Sequence, residues 1–443
     1  MQRINTRSTS TLLILIGCAL TLFTTPAFGD TFYVRTNGSD SEDGLTPQRA
    51  FATIQHAVNN CTEPGSIVYV GPGTYEESIE IGTGAGSAAV SGTSDEPIQL
   101  IADAKGIWTL DDPGPVVIDG RSVDPIGIRL ASRDFWEIRG FALRNQVQYG
   151  INATSAGMSI ENCTIEVPTL YAIYATAMGD ITVADCVFER SSSSAHLVWV
   201  TPMNRANATS VTITRNDMTM KNGLYLSTGY QGGWSAMQSR PSANRYIYGI
   251  IVFGWSTPMV DTIEISNNQI SDCYLPIYSG VYAANGSNSI IANNTITGSF
   301  YGAYSYSYNA RIVRIINNIM DTCYYGMVSY AYNSPSVVVA STIEHNISVS
   351  MVRFRRAFEL DIIQDDPLFV DAAAGDFSLR YGSPALDAGT ASYAPTTDIG
   401  GRSRPTDGNN DGIAEIDIGA YELFSKGRVR VVQWNEIGGD YNE

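Results

Sequence analysis

The segment Ile291-Ala292-Asn293-Asn294-Thr295-Ile296 decides the fold, because close variants of it return along the chain. Each variant places a polar residue, nearly always asparagine, between apolar or β-branched residues (Asn162, Asp185, Asn216, Asn268, Asn294, Asn318 and Asn346). The intervals run from 23 residues, between Asn162 and Asp185, to 52 residues, between Asn216 and Asn268. Such periods are typical of solenoids. The repeats are short, β-branched and without helical periodicity, so they predict stacked strands.

An inward asparagine at each turn has a physical reason in such a stack. Successive coils lie about 4.8 Å apart, and a buried polar side chain must find hydrogen-bond partners. Asparagine carries donors and an acceptor, so identical residues one coil apart can bond each other and the turn backbone. Isolated Asn-Asn pairs usually mark exposed turns. A series in register, flanked by Ile or Val, instead predicts a right-handed parallel β-helix with an inward ladder.

Composition limits the partners. The chain has 443 residues, a net charge of −17 and only three lysines, Lys105, Lys221 and Lys426. A protein this acidic is a poor candidate for nucleic acid or for an anionic lipid surface. An anionic polysaccharide would need a local basic groove.

Residues 1–29 are predicted to be a secretory signal. Two arginines precede an apolar run from Leu12 to Leu22 that is too short for an ordinary membrane span. Ala27-Phe28-Gly29 supplies the small residues of a cleavage site. The alternative is a lipoprotein, since Leu15-Ile16-Gly17-Cys18 is similar to a bacterial lipobox. The apolar run continues past Cys18, which favours a secreted or cell-surface protein without a membrane span.

Five cysteines remain after the signal. Cys163 and Cys186 each directly follow a ladder residue one coil apart, so they could be near enough for a disulfide. Cys273 and Cys323 occupy equivalent positions two coils apart, about 9–10 Å, which is too far for a bond. We interpret them as small buried side chains. No CxxC motif or His/Cys cluster indicates zinc.

The N-terminal stretch has a recognisable order of motifs. Phe32-Tyr33-Val34 is followed by an acidic glycine loop, then by a short predicted helix in Phe51–Val58 and by Gly65-Ser66-Ile67-Val68-Tyr69-Val70. Over residues 30–76 this block resembles the N-terminal cap of the pectate-lyase-like superfamily of right-handed parallel β-helix proteins. The resemblance implies the fold and an extracellular location. It implies activity weakly, because the fold serves lyases, hydrolases, epimerases and adhesins.

A third block follows the predicted coils. It contains Asp365-Asp366-Pro367-Leu368-Phe369-Val370, Gly382–Gly389 and Asp417–Glu422. It resembles the choice-of-anchor module of bacterial secreted β-helices, in which a surface-sorting signal often follows. A short polar tail follows here, which favours release or retention by a partner. The predicted organisation is signal peptide 1–29, cap and first coil 30–76, β-helix 77–362, C-terminal module 363–424 and polar tail 425–443.

The C-terminal block also contains a candidate calcium loop. Asp407, Asn409 and Asp411 place oxygen ligands at alternate positions before a glycine, as in the first half of an EF-hand-like loop. Position 12 is an isoleucine, so Glu415 or Asp417 would have to replace the missing bidentate acid. The alternative is an Asn/Asp/Gly turn. Bound calcium would be structural, because the loop lies outside the coils.

Basic residues around the longest interval form a candidate catalytic group. They are Arg215, Lys221, Arg240 and Arg245, with Trp234 between them as a candidate for substrate binding. Polysaccharide lyases abstract a proton next to a uronate carboxyl, which needs a basic side chain and a cationic clamp. The alternative is a set of solvated loop charges. The paired-carboxylate signatures of β-helix glycosidases are absent as a set.

Tyrosines form columns at the coil period. Tyr282, Tyr308 and Tyr332 share one predicted register, and Tyr306 and Tyr330 share another. Alternation with small residues places these rings on one face of a strand. They form either a platform for sugar rings or a structural stack.

These features together predict an exported, monomeric all-β protein that binds or processes an acidic or neutral polysaccharide. A catalytic version would use β-elimination or epimerisation at uronate residues. The alternative is a non-catalytic surface or matrix protein that uses its tyrosine face for adhesion.

Overall fold

The structure is a computed structural model in which nearly every described element is a strand. It describes residues 29–82, 88–166, 168–177, 179–189, 195–202, 209–219, 247–254, 260–273, 275–282, 288–299, 301–308, 312–323, 325–332, 337–340, 342–345, 357–358 and 362–423. The predicted signal, Cys18 and the predicted polar tail lie outside these residues, apart from Gly29. No helix in the described part of the chain is long and apolar enough to cross a membrane.

Three long parallel sheets, here called sheets A, B and C, contain almost all of the strands. Sheet A consists of β1 Thr31–Val34, β2 Ile67–Val70, β5 Ile98–Ala102, β8 Trp136–Arg139, β11 Met158–Glu161, β14 Ile181–Ala184, β17 Thr209–Thr214, β20 Val260–Ser266, β23 Asn288–Ala292, β26 Ile312–Ile316, β29 Val337–Ala340 and β31 Ala357–Phe358. Sheet B consists of β3 Gly73–Tyr75, β6 Val116–Asp119, β9 Ala142–Arg144, β12 Thr164–Glu166, β15 Val187–Glu189, β18 Asp217–Thr219, β21 Gln269–Ser271, β24 Thr295–Thr297, β27 Ile319–Asp321, β30 Thr342–His345 and β32 Ile362–Ile363. Sheet C consists of β4 Ile79–Ile81, β7 Ile126–Ala131, β10 Tyr149–Thr154, β13 Tyr171–Ala177, β16 His196–Pro202, β19 Tyr248–Gly254, β22 Leu275–Tyr282, β25 Tyr301–Tyr308 and β28 Tyr325–Tyr332.

From β2 to β30 the described strands follow the order sheet A, sheet B, sheet C, and strands of successive coils pair in parallel. This is the predicted parallel β-helix. Its interior is filled by β-branched and other aliphatic side chains that repeat in register. In sheet A, Ile160, Val183, Ile213, Ile265 and Ile291 follow one another along one column and are fully buried. Burying one such side chain contributes about 1.5–3 kcal/mol.

Two adjacent columns form the corner between sheets A and B, and the asparagine pairs belong to both. The first residue of each pair has a left-handed backbone, with φ between 53° and 56° (Asn162, Asp185, Arg215, Asn267, Asn293 and Asn317). The second residue points into the coil (Cys163, Cys186, Asn216, Asn268, Asn294 and Asn318). Asparagine suits the first column because it tolerates positive φ better than most residues.

This arrangement corrects the predicted ladder by one residue in the early coils. Asn162 and Asp185 lie in the left-handed column, and Cys163 and Cys186 occupy the inward column. The inward ladder itself is confirmed. Asn268 donates from both its backbone N and its Nδ2 to Asn294 Oδ1, each over 3.0 Å. Asn294 repeats the pattern with Asn318 Oδ1 over 2.9 Å. Asn346 lies outside the described residues.

The described cysteines are all free and buried. The Sγ atom of Cys163 donates to Glu161 O over 3.4 Å, and that of Cys186 donates to Ala184 O over 3.3 Å. Cys163 and Cys186 are therefore free thiols, although their spacing in the sequence allows a disulfide. Strand pairing places Cys273 and Cys323 two coils apart, as predicted.

The longest interval is one coil with an insertion. Strand β17 pairs directly with β20, and β18 pairs with β21. The insertion, residues 220–246, lies outside the described residues.

A short helix covers the first coil, as predicted. Helix α1, Ile54–Asn59, begins at Thr53, whose side chain accepts a hydrogen bond from His56 N. The carboxylate of Glu77 accepts from Ile54 N and Gln55 N, which satisfies further free donors of the first turn. The apolar side of the helix is buried against the first strands.

The C-terminal module packs on sheet B and on the A/B corner. Its antiparallel strands β33 Phe369–Asp371 and β34 Asp376–Leu379 are joined by a 3-10 helix, Ala372–Ala374. Corner asparagines bond its backbone (Asn267 with Thr397, Asn293 with Asp417 and Gly419, and Asn317 with Thr390). Ile319 of β27 shares a buried apolar cluster with Phe369 and Phe377. These contacts attach the C-terminal module to the side of the β-helix. An anchoring function of the module stays a prediction.

Candidate functional site

The outer face of sheet C repeats the same surface in consecutive coils. Strands β10, β13 and β16 share one burial pattern, in which the first, fourth and sixth residues are half-buried and the intervening residues are buried. The outward residues are Tyr149, Asn152 and Thr154 in β10, Tyr171, Tyr174 and Thr176 in β13, and His196, Trp199 and Thr201 in β16. The face is therefore three columns wide: one aromatic, one mixed and one of threonines.

The first column is a continuous stack of rings. Tyr149 and Tyr171 lie 5.5 Å apart between ring centroids with an interplanar angle of 10°. His196 lies 4.7 Å from Tyr171 and 4.7 Å from Tyr248, at angles of 18° and 24°. Because these rings cover one another's faces, the column stabilises the sheet and presents mainly ring edges to solvent.

The second column turns its rings across the first. Tyr174 lies 4.9 Å from Tyr171 at an angle of 57°, and Trp199 lies 4.8 Å from His196 at 83°. Trp199 also donates from Nε1 to Thr201 Oγ1 over 3.0 Å, which fixes its orientation along the strand. Because the faces of the stacked rings cover one another, their edges meet the near faces of Tyr174 and Trp199, and the stack leaves the far face of each turned ring uncovered. Such faces are the part of an aromatic residue that packs against the apolar face of a flat ligand.

The two-column pattern returns in the later coils. Tyr301 and Tyr304 of β25 lie 5.8 Å apart at an angle of 83°. Strand pairing also confirms the predicted shared registers, in which Tyr282, Tyr308 and Tyr332 are successive partners and Tyr306 pairs with Tyr330.

His196 is neutral on this face over most of the pH range. Burial lowers the pKa of its imidazole to about 4. Its Nδ1 atom is buried and has no hydrogen-bond partner within the described residues. The ring therefore behaves as one more aromatic member of the stack rather than as a cation.

Among the basic candidates, only Arg215 lies within the described residues. Arg215 lies at the A/B corner, where its Nε and Nη2 contact the two oxygens of Asp185 over 2.7 and 2.6 Å. This pair raises the pKa of Arg215, which opposes the loss of a proton from Arg215 in this position. Lys221, Trp234, Arg240 and Arg245 lie outside the described residues, and their predicted roles stay predictions.

The candidate calcium loop closes on itself. Asp407 accepts from Asp411 N and Gly412 N, and Asn409 Oδ1 accepts from Asp411 N. Asp387 joins the loop through Asn409 Nδ2. Burial, and next the charge of Asp411, raise the pKa of Asp387.

The side chains of this loop fit a calcium ion only in part. Among the described residues, no three His, Cys, Asp or Glu side chains are placed to hold a metal ion. Glu415 is exposed, whereas Asp417 is buried and accepts from the backbone N of Asp387 and Leu423. Calcium would therefore need the loop to rearrange and to use Asn409 and backbone oxygens. Its binding stays a prediction.

Sequence reasoning missed the earliest part of the aromatic face, namely Tyr149, Tyr171, Tyr174, His196 and Trp199. Their signal was present, since each of these strands has a ring at its first position. The turns between sheets B and C vary in length in these coils, so a register counted from the asparagine ladder does not align these rings.

Comparisons with known proteins agree with this architecture. A family model described as the right handed beta helix region matches residues 247–359. A search of curated protein sequences found no match. Among solved structures, pectate lyase Pel9A is similar with a TM-score of 0.48 and 16% identity, over 89% of this chain and 96% of that chain. A glycoside hydrolase gives a TM-score of 0.48 and 9% identity, over 71% of this chain and 93% of that chain.

A rhamnogalacturonan lyase is also similar, with a TM-score of 0.38 and 15% identity over 73% of this chain and 90% of that chain. The fold itself rests on the parallel pairing of strands from successive coils and on the family match over residues 247–359. The chain is a right-handed parallel β-helix protein, as its asparagine repeats predicted.

Proposed function

We propose that this protein is exported and binds an extracellular polysaccharide along the outer face of sheet C. The observation that carries the proposal is the pair of turned rings, Tyr174 and Trp199, whose far faces the ring stack leaves uncovered. Aromatic faces of this kind pack against the C–H surface of a pyranose ring. The predicted signal peptide supplies the extracellular setting.

The shape of the face suits a polymer better than a small ligand. The rings repeat in register from β10 to β16 and return in β25, so equivalent positions follow one another along the solenoid axis. Neighbouring coils are about 4.8 Å apart, which is comparable to the length of one sugar residue. A glycan chain parallel to the axis would therefore meet one similar surface per sugar.

The β-elimination hypothesis now depends on three residues. Arg215 is paired with Asp185 at the A/B corner, away from the outer face of sheet C. This leaves Lys221, Arg240 and Arg245 as the candidates for base and carboxylate clamp. They belong to the segment that directly precedes β19. The test is absorbance near 235 nm, where unsaturated uronate products absorb, with single alanine variants of the three. Activity that survives all three substitutions would reject these roles.

Affinity electrophoresis of the purified protein in gels that contain different polysaccharides tests the binding proposal. The Trp199→Ala and Tyr174→Ala variants should each lower affinity about 2–10-fold, which corresponds to about 0.5–1.5 kcal/mol for an aromatic contact. Trp108→Ala is the matched control. Trp108 is 53% exposed and stacks on Tyr69 at the other end of the solenoid, so its loss should leave affinity unchanged.

Two outcomes would contradict the proposal. The first is wild-type protein that is retarded by no polysaccharide. The second is equal retardation of the wild type and of the Trp199→Ala variant, with both proteins folded by circular dichroism.

A further inference from the structure

We infer that the outer face of sheet C selects an uncharged glycan rather than a polyuronate. The inference rests on the proposed polysaccharide binding and names the class of its ligand, and it is an alternative to β-elimination, which needs a uronate. It comes from the charge pattern of the sheet, which differs from that of its neighbours.

Seven consecutive strands of sheet C contain no Asp, Glu, Lys or Arg at all. They are β10, β13, β16, β19, β22, β25 and β28, with the sequences YGINAT, YAIYATA, HLVWVTP, YGIIVFG, LPIYSGVY, YGAYSYSY and YGMVSYAY. The one histidine among them is neutral, because burial lowers its pKa to about 4. These described strands therefore offer no fixed charge to a ligand.

Charges do occur on the adjoining surfaces. At the N-terminal end of sheet C, Arg129 pairs with Glu80 over 3.3 Å. On sheet A, Arg139 pairs with Glu137 over 2.9 Å and with Glu161 over 3.3 Å. The absence of charge is thus a property of sheet C from β10 onward, and it coincides with the aromatic columns.

The groups that replace charge on this face are hydroxyls and an amide. Thr176 and Thr201 are register partners, Thr154 in the preceding coil directly follows Ala153, the partner of Ala175, and all three threonines are half-buried. Asn152 lies in the column of Tyr174 and Trp199. Hydroxyl and amide groups both donate and accept hydrogen bonds, as the hydroxyls of a neutral sugar do. Rings for the C–H faces and hydroxyls for the edges together match an uncharged pyranose chain.

A polyuronate would meet the opposite conditions. It brings about one carboxylate per sugar to a protein whose net charge is −17. Each carboxylate would lose part of its hydration without a cation in the described strands, which is unfavourable. Long-range repulsion would also slow the encounter at low ionic strength.

The sharpest test compares one polymer in two charge states. Polygalacturonate and the same polymer after reduction of its carboxyl groups to alcohols differ only at C6, where a neutral hydroxymethyl group replaces the carboxylate. Isothermal titration with oligomers of both, together with neutral xylan, glucan and mannan oligomers, should give at least tenfold tighter binding for neutral ligands. Tighter binding of polygalacturonate would overturn the inference and would leave the proposed function intact. Binding of none of the oligomers would reject both.

A charge-introducing variant keeps the test specific to this face. Thr176→Lys places a cation in the threonine column between Thr154 and Thr201. It should raise affinity for polygalacturonate up to about fivefold, as an exposed ion pair does, while neutral oligomers bind no more tightly. An unchanged preference in Thr176→Lys, with a polyuronate already preferred by the wild type, would show that acidic glycans are recognised elsewhere.

Discussion

Replacement of Asn294 by alanine tests how much the inward ladder stabilises the β-helix. The Oδ1 atom of Asn294 accepts from the backbone N and the Nδ2 of Asn268, each over 3.0 Å. Its Nδ2 donates to Asn318 Oδ1 and Ile265 O over 2.9 Å, and to Ala292 O over 3.2 Å. The substitution removes all five hydrogen bonds from a fully buried position.

The magnitude follows from the donors that lose their acceptor. Each lost hydrogen bond costs about 0.5–1.5 kcal/mol net, and a buried donor left unpaired costs about 1–3 kcal/mol. Asn268 loses the acceptor of two N–H groups at once, although its Nδ2 still donates to Ile213 O. We therefore expect Asn294→Ala to lower the free energy of unfolding by about 3–5 kcal/mol.

Denaturation by guanidinium chloride, followed by circular dichroism, measures this change. Asn152→Ala is the matched control, because it deletes the same group from the outer face of sheet C and should cost under about 1 kcal/mol. Asn294→Asp retains Oδ1 but faces Asn318 Oδ1 with a second oxygen, so it should destabilise at neutral pH as strongly as alanine does. A loss under about 1 kcal/mol for Asn294→Ala would refute the view that the ladder stabilises the coils.

Three further predictions concern the module, the ring stack and calcium. The side chains of Arg404 and Glu422 are fully buried and pair over 2.6 Å, and Arg404 also donates to Asn267 Oδ1. Arg404→Ala should therefore lower the free energy of unfolding by about 3–5 kcal/mol and make the module sensitive to limited proteolysis. Resistance equal to that of the wild type would contradict this. The pKa of His196 is lowered from 6.5 to about 4, so the free energy of unfolding should fall as the pH drops from 6.5 through 4. The fall should be about 1–2 kcal/mol after discount for partial exposure. His196→Phe should remove that part of the pH profile. Millimolar calcium should raise the unfolding temperature of the wild type and not that of Asp411→Ala, and an equal response of both would reject the loop as the calcium site.

The asparagine repeats predicted the fold because two physical requirements coincide in them. One corner position needs positive φ, and the next needs a buried side chain with donors and an acceptor, and asparagine satisfies both. That double suitability also explains the error of one residue in the early coils. Asn162 precedes Cys163 in the same way that Asn293 precedes Asn294, and the sequence does not say which of two adjacent positions points inward when only one of them is asparagine.

The candidate site was predicted in part, for reasons that lie in the turns. The late columns that contain Tyr308 and Tyr330 were correct in register, because the coils there are similar in length. The orientation of Trp199 across His196 was beyond prediction, since it depends on packing between coils and on the hydrogen bond to Thr201. Sequence alone gave no means to separate stacked rings from turned rings.

The asparagine pairs also explain how the chain divides its surfaces. In the late coils the inward asparagine holds the coils together, while its neighbours Asn267, Asn293 and Asn317 hold the C-terminal module on the A/B corner. The module's described contacts extend over sheet B, where Tyr421 donates to Gln269 and Ala420 N to Thr295. A ligand on sheet C would therefore meet a face on a different side of the solenoid from the module. Loss of the module should then impair stability before it impairs polysaccharide binding, which makes the two roles separable by experiment.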